Sequence, residues 1–574
     1  MSEALIQALL AMAPLLPLML AVATVHDDLR ETVARLLPYA PLPALAVALL
    51  ANFGITVELE YLLLGLHLGL DGPRRLLLLM TALIWMAAGF YGRRYIAQDR
   101  RQHLYNSFFL ATMGGNLGLI VALDAAAFYL FFSLMTLSSY ILVVFEGNRR
   151  AYRAGRIYLV LSLLGEMALL YGLLRAVHTS GSLMIAEIPE ALVEGEIWTN
   201  LLLFFGFAIK AGQFPLHIWL PLAHPAAPTP ASAVLSGAMI KAGLLGMVLF
   251  LPLGEAASPG TGLLISILGL TTAFYGAVCG IPQRNPKTVL AYSSLSQMGV
   301  MVAALGPLLA TPGTETQLLP AILLYAVHHG LSKAGLFLSV GVMQQERRRQ
   351  ALVLLASAVA AIAIAGAPIT AGSLTKYLVK SGVAEGQGAS ADLVGSLLSW
   401  TAVGTFLLML RFLLLLKREG RGRDHAVASA WLWIPFLVII AASQLLPWSL
   451  ARLEGVGSGL LSLSNIWGSL WPILLALGLT ALWHLARKSG FRWDREVPEG
   501  DIVHFLPSQR AVTLRTRLVY RRLGRSLRRR PELLLDANDA IGARIAGLEA
   551  VLLRPGAAGL VVLLAAVVMV ISVL

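Results

Sequence analysis

The sequence predicts an all-α polytopic membrane protein with about 16 transmembrane helices. The chain has 574 residues, of which 57% are apolar and only 13% charged, and soluble domains of this length rarely show such a balance. Apolar runs long enough to cross roughly 30 Å of hydrocarbon recur along the whole sequence. Most of the charged residues lie in the connections between these runs.

The apolar runs give the position of each predicted span. They cover residues 4–24, 37–53, 75–91, 106–123, 125–145, 157–175, 199–213, 231–253, 261–281, 288–308, 319–341, 351–379, 391–416, 430–450, 467–486 and 556–574. We divide the chain into N-terminal helices (1–104), a first repeat (105–253), a second repeat (254–416), additional helices (417–486), a basic segment with a surface helix (487–555) and a final helix (556–574).

Two of the spans contain helix-breaking residues beside a lysine. In the seventh span Pro215 and Pro221 follow Lys210, and in the twelfth the stretch GAPITAGSLTK ends at Lys376. Proline removes a backbone donor and clashes with the preceding turn, so both segments are expected to break inside the bilayer. Broken helices at corresponding positions of two halves are typical of inverted-repeat transporters. Kinks that serve packing alone are the alternative.

The basic residues are distributed unevenly over the connections. Those after odd-numbered spans, with the last of them counted only as far as Arg495, hold 23 lysines and arginines, against 5 after even-numbered spans. By the positive-inside rule the N-terminus faces away from the cytoplasm, and an even number of spans returns the C-terminus to that side. We therefore expect a multi-pass protein of the inner (cytoplasmic) membrane with both termini outside the cytoplasm.

The polar segment before the final span has two parts. Residues 515–530 carry eight arginines. Next to a membrane such a cluster favours anionic lipid headgroups or an acidic protein partner over nucleic acid. Residues 532–553 repeat apolar side chains at helical spacing, which predicts a helix lying along the membrane surface.

Several kinds of chemistry have no support in the sequence. The single cysteine, Cys279, excludes an internal disulfide and a cysteine-ligated cluster. No Walker loop, dinucleotide-binding fingerprint or HExxH helix occurs, so we predict no cofactor and no metal. The chain carries no redox or hydrolytic motif of its own, and whether it belongs to an enzyme complex stays open.

Basic side chains lie inside the predicted spans. The lysines are Lys210, Lys241, Lys333 and Lys376, and His328 and His329 accompany Lys333. A charge at such a depth costs at least a few kcal/mol and is usually retained for function. A series of groups that change protonation state is what proton transfer through a membrane requires. The alternative is that carbonyl groups of the broken helices satisfy each base locally.

Three ordered motifs resemble a known family. FAIKAGQFPLHIWLPLAHPAAPTPASAVLSGAMIKAGLLG, RNPKTVLAYSSLSQMG and HHGLSKAGLFLSVG resemble, in that order, blocks of the antiporter-like subunits of respiratory complex I, membrane-bound hydrogenases and Mrp-type sodium/proton antiporters. The resemblance covers roughly residues 105–415, and its wording is closest to the hydrogenase and D-type Mrp branch. It implies a multisubunit membrane complex, two inverted repeats with broken helices, and a lateral surface helix.

The resemblance also implies roles for individual residues. Lys210 and Lys241 match the seventh- and eighth-helix lysines, and His217 belongs to the PLHxWLP block. The eleventh- and twelfth-helix relay matches His329, Lys333 and Lys376. The sequence departs from the family pattern at Ser133, where a glutamate usually partners the seventh-helix lysine, and at Leu222, Tyr325 and Tyr377.

One acid remains deep in a neighbouring span. Glu166 lies in LVLSLLGEMALLYGLL, and we predict that it faces Lys210 and replaces the lost acid, directly or through one water. The alternative is a local hydroxyl partner for Glu166.

These residues favour a proton-translocating subunit of a membrane complex, with sodium/proton exchange left open. A proton-conducting partner of a cytoplasmic enzyme, as in bicarbonate-accumulation complexes, and a non-pumping structural paralogue are the alternatives.

Overall fold

The protein was analysed as a computed structural model, which describes residues 2–51, 54–59, 65–193, 197–346, 348–420, 429–453, 459, 462–489 and 498. Its helices are α1 (Glu3–Ala23), α2 (Arg30–Leu36), α3 (Leu42–Leu50), α4 (Gly72–Tyr95), α5 (Gln102–Val121), α6 (Ala125–Val144), α7 (Arg149–Ser180), α8 (Ile188–Ala191), α9 (Ile197–Ala211), α10 (Trp219–Ala226), α11 (Thr229–Val234), α12 (Lys241–Phe250), α13 (Pro259–Gly280), α14 (Pro286–Ala310), α15 (Glu315–Gln345), α16 (Gln350–Ala365), α17 (Ala371–Glu385), α18 (Ala389–Glu419), α19 (Ala430–Leu453) and α20 (Leu463–Lys488).

The predicted all-α membrane architecture is confirmed. Within the described residues, 13 helical segments are long and apolar enough to cross a membrane. The shorter α9 and α16 coincide with the seventh and twelfth predicted spans. The predicted span 556–574 and the surface helix within 532–553 lie outside the described residues.

The two predicted helix breaks occur where glycine and proline interrupt a run of apolar, helix-forming residues. Helix α9 ends at Ala211, and Gly212 follows with φ +71° before Pro215. Helix α16 ends at Ala365, and Gly366 caps it with φ +87°. Glycine adopts this left-handed conformation without the steric cost that a Cβ brings, so the chain can leave the helix at these points.

Small residues allow the helices of the second half to approach closely. A Cβ at Gly269 of α13 would lie 2.4 Å from the backbone nitrogen of Ala303 in α14, and one at Gly262 would lie 2.4 Å from the carbonyl oxygen of Gly306. Membrane helices associate through such backbone contacts because lipid provides no hydrophobic drive between them. Helix α14 is consequently buried along most of its length and becomes a central element.

A short hairpin between α3 and α4 was not expected. Strands β1 (Thr56–Leu59) and β2 (Leu66–Gly69) pair antiparallel, with Thr56 opposite Gly69. The carbonyl of His67 accepts a hydrogen bond from the Leu123 backbone at 2.9 Å, which ties the hairpin to the α5–α6 connection. Strand β1 alternates between exposed and half-buried residues over only four positions. A pattern this short does not distinguish a strand from a loop in the sequence.

Candidate functional site

Lys210 lies in the last turn of α9, immediately before the break. Its side chain is buried, with 4% of the residue exposed. The ammonium donates to the hydroxyl oxygens of Thr136 at 3.1 Å and Tyr158 at 3.4 Å. The C-terminal end of a helix carries partial negative charge, so this position also favours a cation. The break therefore does more than kink the span: it supplies polar surroundings for the lysine.

Glu166 of α7 faces the bundle interior at the same level. Its residue is 6% exposed, and the Ser133 hydroxyl donates a hydrogen bond to its carboxylate oxygen Oε2. The other oxygen, Oε1, has no hydrogen-bond partner among the described residues. Glu166 and Lys210 line one cavity of about 10 Å³ together with Thr136 and Ser162. None of the ion pairs between described residues joins the two side chains directly.

Hydroxyl groups on α6 complete this site. Ser133, Thr136 and Ser139 recur every three residues, which places them on one face of the helix. Ser139 and Tyr158 of α7 share a hydrogen bond of 2.6 Å, and Tyr158 also donates to the Thr136 carbonyl at 3.0 Å. Thr136, Ser139 and Tyr158 were not among the residues predicted from the sequence, although the three-residue spacing in FFSLMTLSSY was a usable signal for Thr136 and Ser139.

Lys241 begins α12, directly after a π-helical turn at Leu235–Met239. Its ammonium donates to the Ser236 carbonyl at 2.7 Å inside that turn. A π turn widens the helix and leaves carbonyl groups accessible to side chains. A Cβ at Gly237 would lie 3.0 Å from the Gly330 carbonyl, so the glycines of this motif let α15 approach Lys241 closely.

A polar connection leads from the Lys241 turn to Lys333. The Ser236 hydroxyl and the Ser294 hydroxyl of α14 lie 2.7 Å apart. Ser294 donates to the Leu290 carbonyl at 3.0 Å, and the Lys333 ammonium donates to the same carbonyl at 3.1 Å. Lys333, Ser236 and Ser294 are each 0% exposed. The eighth, tenth and eleventh spans thus meet at one buried polar cluster.

Lys376 lies in the second turn of α17, just beyond the other break. Its ammonium donates to the Ala365 carbonyl, the last residue of α16, at 3.0 Å. It lines a cavity of about 70 Å³ with hydroxyl and amide groups of α17 and α20, including Ser373, Ser464 and Asn465. A polar cavity of this size can hold several water molecules.

The three histidines of the predicted proton pathway, His217, His328 and His329, are fully buried and have different surroundings. His328 donates from Nδ1 to the Ser443 carbonyl at 3.0 Å, and its Nε2 faces the first turn of α17 near Gly372. His329 has no hydrogen-bond partner for either ring nitrogen among the described residues and lies close enough to Lys241 and Lys333 to interact with their charges. His217 stacks on Phe214 and meets Tyr275 edge-on.

A half-buried lysine and a buried histidine were not singled out from the sequence. Asn285 caps α14 by accepting from the backbone of Lys287 at 2.9 Å, and the Lys287 ammonium then reaches the Ala227 carbonyl at the end of α10, also at 2.9 Å. In the sequence Lys287 lies in the connection between the predicted spans 261–281 and 288–308, where it looks like a loop charge. His224 of α10 stacks on Phe337 with ring centroids 4.6 Å apart.

A protein-family model matches a large part of the transmembrane region. The model for the transmembrane domain described as NADH:quinone oxidoreductase/Mrp antiporter matches residues 122–399. The transmembrane region 122–399 belongs to the antiporter-like membrane subunit family. The resemblance carried by the three motifs is thereby confirmed.

Curated relatives of this family member are named as antiporter subunits. The putative antiporter subunit mnhA2 of Staphylococcus haemolyticus is 30% identical over 347 residues, which are 55% of this chain and 42% of that protein. The protein of the same name from Staphylococcus saprophyticus is 28% identical over 368 residues, 58% of this chain and 45% of that protein. The chain therefore spans less than half of the length of these relatives.

Solved structures share the fold of this family member. A chain of the Mrp complex from Dietzia sp. superposes with a TM-score of 0.67 at 21% identity, over 81% of this chain and 96% of that one. A chain of the membrane-bound sulfane sulfur reductase, an archaeal respiratory membrane complex, gives 0.63 at 19% identity, over 82% and 99%.

Proposed function

We propose that the chain is a proton-translocating membrane subunit of a multisubunit complex, and that protons pass along Lys210, Lys241, His329, Lys333 and Lys376. The buried polar connection between Lys241 and Lys333 is the observation that carries this proposal most. Two ammonium groups at that depth are costly unless they exchange protons or find compensation. The Ser236 and Ser294 hydroxyls between them can each donate and accept a proton. Each lysine donates to a backbone carbonyl, so water would have to carry the proton between an ammonium group and a hydroxyl.

The ends of the proposed line have different surroundings. At one end Glu166 is the candidate counter-ion of Lys210, and one water in their shared cavity would bridge the two side chains. At the other end Lys376 lines a cavity large enough for water, and His328 of α15 faces the first turn of α17, which precedes Lys376. His217 is the remaining candidate, beside the first break.

Partners are part of this proposal. The chain contains no redox motif, so the energy for directed transport would come from other subunits. The two structures that share the fold belong to multisubunit membrane complexes, which supports assembly with further membrane subunits. Sodium exchange is a variant that a proton-flux experiment can separate from uniport, and docking of a cytoplasmic enzyme is a further variant of the proposal.

Proton movement into proteoliposomes that contain the assembled complex tests the proposal. Lys333→Met should lower the initial rate at least about 100-fold, since a proton-transferring side chain contributes on that order. Lys417→Met, which removes an exposed lysine at the end of α18, should leave the rate unchanged. Repeating the assay with choline in place of sodium distinguishes exchange from uniport. A wild-type rate equal to that of empty liposomes would identify a non-pumping structural subunit instead.

A further inference from the structure

A groove at one end of α4 combines two arginines with aromatic side chains. Phe90, Arg93 and Arg94 of α4, Ala97 just after that helix, and Trp431 of α19 line it, and its volume is about 260 Å³. Arg93 and Arg94 belong to the last turn of a 24-residue helix. A helix of this length spans the hydrocarbon core, so its last turn lies at the level of the lipid headgroups.

The two arginines lack partners within the described part of the chain. Both are exposed, neither takes part in an ion pair or hydrogen bond with a described residue, and no acidic side chain lines the groove. Cations in a last helical turn interact favourably with the helix dipole, which is a sufficient reason for basic residues here. It gives no reason for the aromatic side chains around them.

The aromatic groups form a layered wall beside the arginines. The rings of Phe90 and Trp431 stack with centroids 6.3 Å apart and an interplanar angle of 15°. Tyr39 meets Phe90 edge-on at 5.2 Å. Trp431 is 53% exposed and Tyr39 46%, so both rings also face the surroundings. Tyrosine and tryptophan at this level are typical of the membrane interface.

An apolar stripe continues from the groove along α19. Ile434 and Val438 follow Trp431 at helical spacing and are 58% and 54% exposed. They lead from the arginines towards the bilayer centre. A water-soluble acidic protein would account for the arginines but not for this stripe, whereas a lipid needs both a cationic and an apolar contact.

We propose that this groove binds an anionic phospholipid. The guanidinium groups of Arg93 and Arg94 hold the headgroup phosphate, for which their planar donor pattern is suited. Trp431 and Phe90 pack against the glycerol region, and one acyl chain follows Ile434 and Val438. This proposal is independent of proton translocation.

Native mass spectrometry of the assembled complex, purified in mild detergent, tests the site with phosphatidylglycerol and phosphatidylcholine as probes. The wild-type complex should retain phosphatidylglycerol in preference to phosphatidylcholine. Arg93→Gln with Arg94→Gln should lower that retention by about tenfold or more, given the contribution of each arginine at an anionic surface. The matched control is Lys417→Gln with Arg418→Gln, another exposed basic pair in a last helical turn, which should retain the lipid.

The remaining outcomes are equally decisive. Trp431→Ala leaves every charge in place and should also weaken retention of phosphatidylglycerol, so the site stays testable if the arginine variant fails to assemble. Equal retention by the wild type and both groove variants would overturn the proposal. So would an equal loss in the control pair, which indicates a general charge effect, or the loss of a protein subunit without loss of lipid.

Discussion

At the scale of single residues, the main finding concerns the partner of Lys210. The position at which the family usually carries a glutamate holds Ser133. The Ser133 hydroxyl donates a hydrogen bond to the carboxylate of Glu166 on the next helix, α7. The side chains of Ser133 on α6 and Glu166 on α7 therefore meet between the two helices. The depth of Glu166 and Lys210 in apolar segments could be read from the sequence. The contacts of Thr136 and Tyr158 with Lys210 could not, because they depend on how three helices pack.

Exchanging the two positions tests whether Glu166 acts as the substitute acid. Glu166→Gln should lower the proton-transport rate by about tenfold or more, because the carboxylate no longer compensates the ammonium. Ser133→Glu combined with Glu166→Gln should restore part of the rate, since the new carboxylate starts from a side chain that already contacts residue 166. The control, Ser133→Ala alone, keeps the acid and should have the smaller effect. A double variant no better than Glu166→Gln would contradict the substitution.

At the scale of elements, glycine and proline made the two breaks predictable, whereas other local features were not. The break at α16–α17 depends on Gly372, where a Cβ would lie 1.6 Å from the Ala363 carbonyl. The π turn before Lys241 has no comparable sequence signal, because it arises from the packing of Gly237 against Gly330. The hairpin was missed because its strands have four residues each.

Gly372→Ala should therefore disrupt the second break. The added methyl group cannot be accommodated without moving α17 away from α16, which also separates Lys376 from the Ala365 carbonyl. We expect a destabilisation of more than about 3 kcal/mol, above the usual range for overpacking. Thermal unfolding in detergent measures this effect. Gly395→Ala is the matched control because its Cβ would meet its nearest neighbour at 3.9 Å, and a similar loss there would contradict the explanation.

At the scale of the whole molecule, hydropathy and charge indicated a membrane protein, and the motif order indicated its family. The meeting of the eighth, tenth and eleventh spans at Ser236, Ser294 and Lys333 could not be read from the sequence. These residues are far apart in the chain, and each serine alone looks like an ordinary small residue in a membrane helix.

The orientation of the molecule is a prediction that the loop charges make. Cysteines introduced one at a time at Gly147 and Ser182, after replacement of Cys279 by alanine, should react differently with a membrane-impermeant maleimide in intact cells. Ser182→Cys should be labelled from outside, and Gly147→Cys, next to the basic residues at the start of α7, only after the membrane is opened. The reverse pattern would contradict the assigned orientation.

The central claim is that buried lysines carry protons through this subunit, and the proton flux of Lys210→Ala in the reconstituted complex tests it most directly. The variant should assemble with its partner subunits, since Lys210 contacts Thr136 and Tyr158 through hydrogen bonds rather than an ion pair. Its initial rate should then fall at least about 100-fold below that of the wild type. A fully assembled Lys210→Ala complex that moves protons at the wild-type rate would contradict the account.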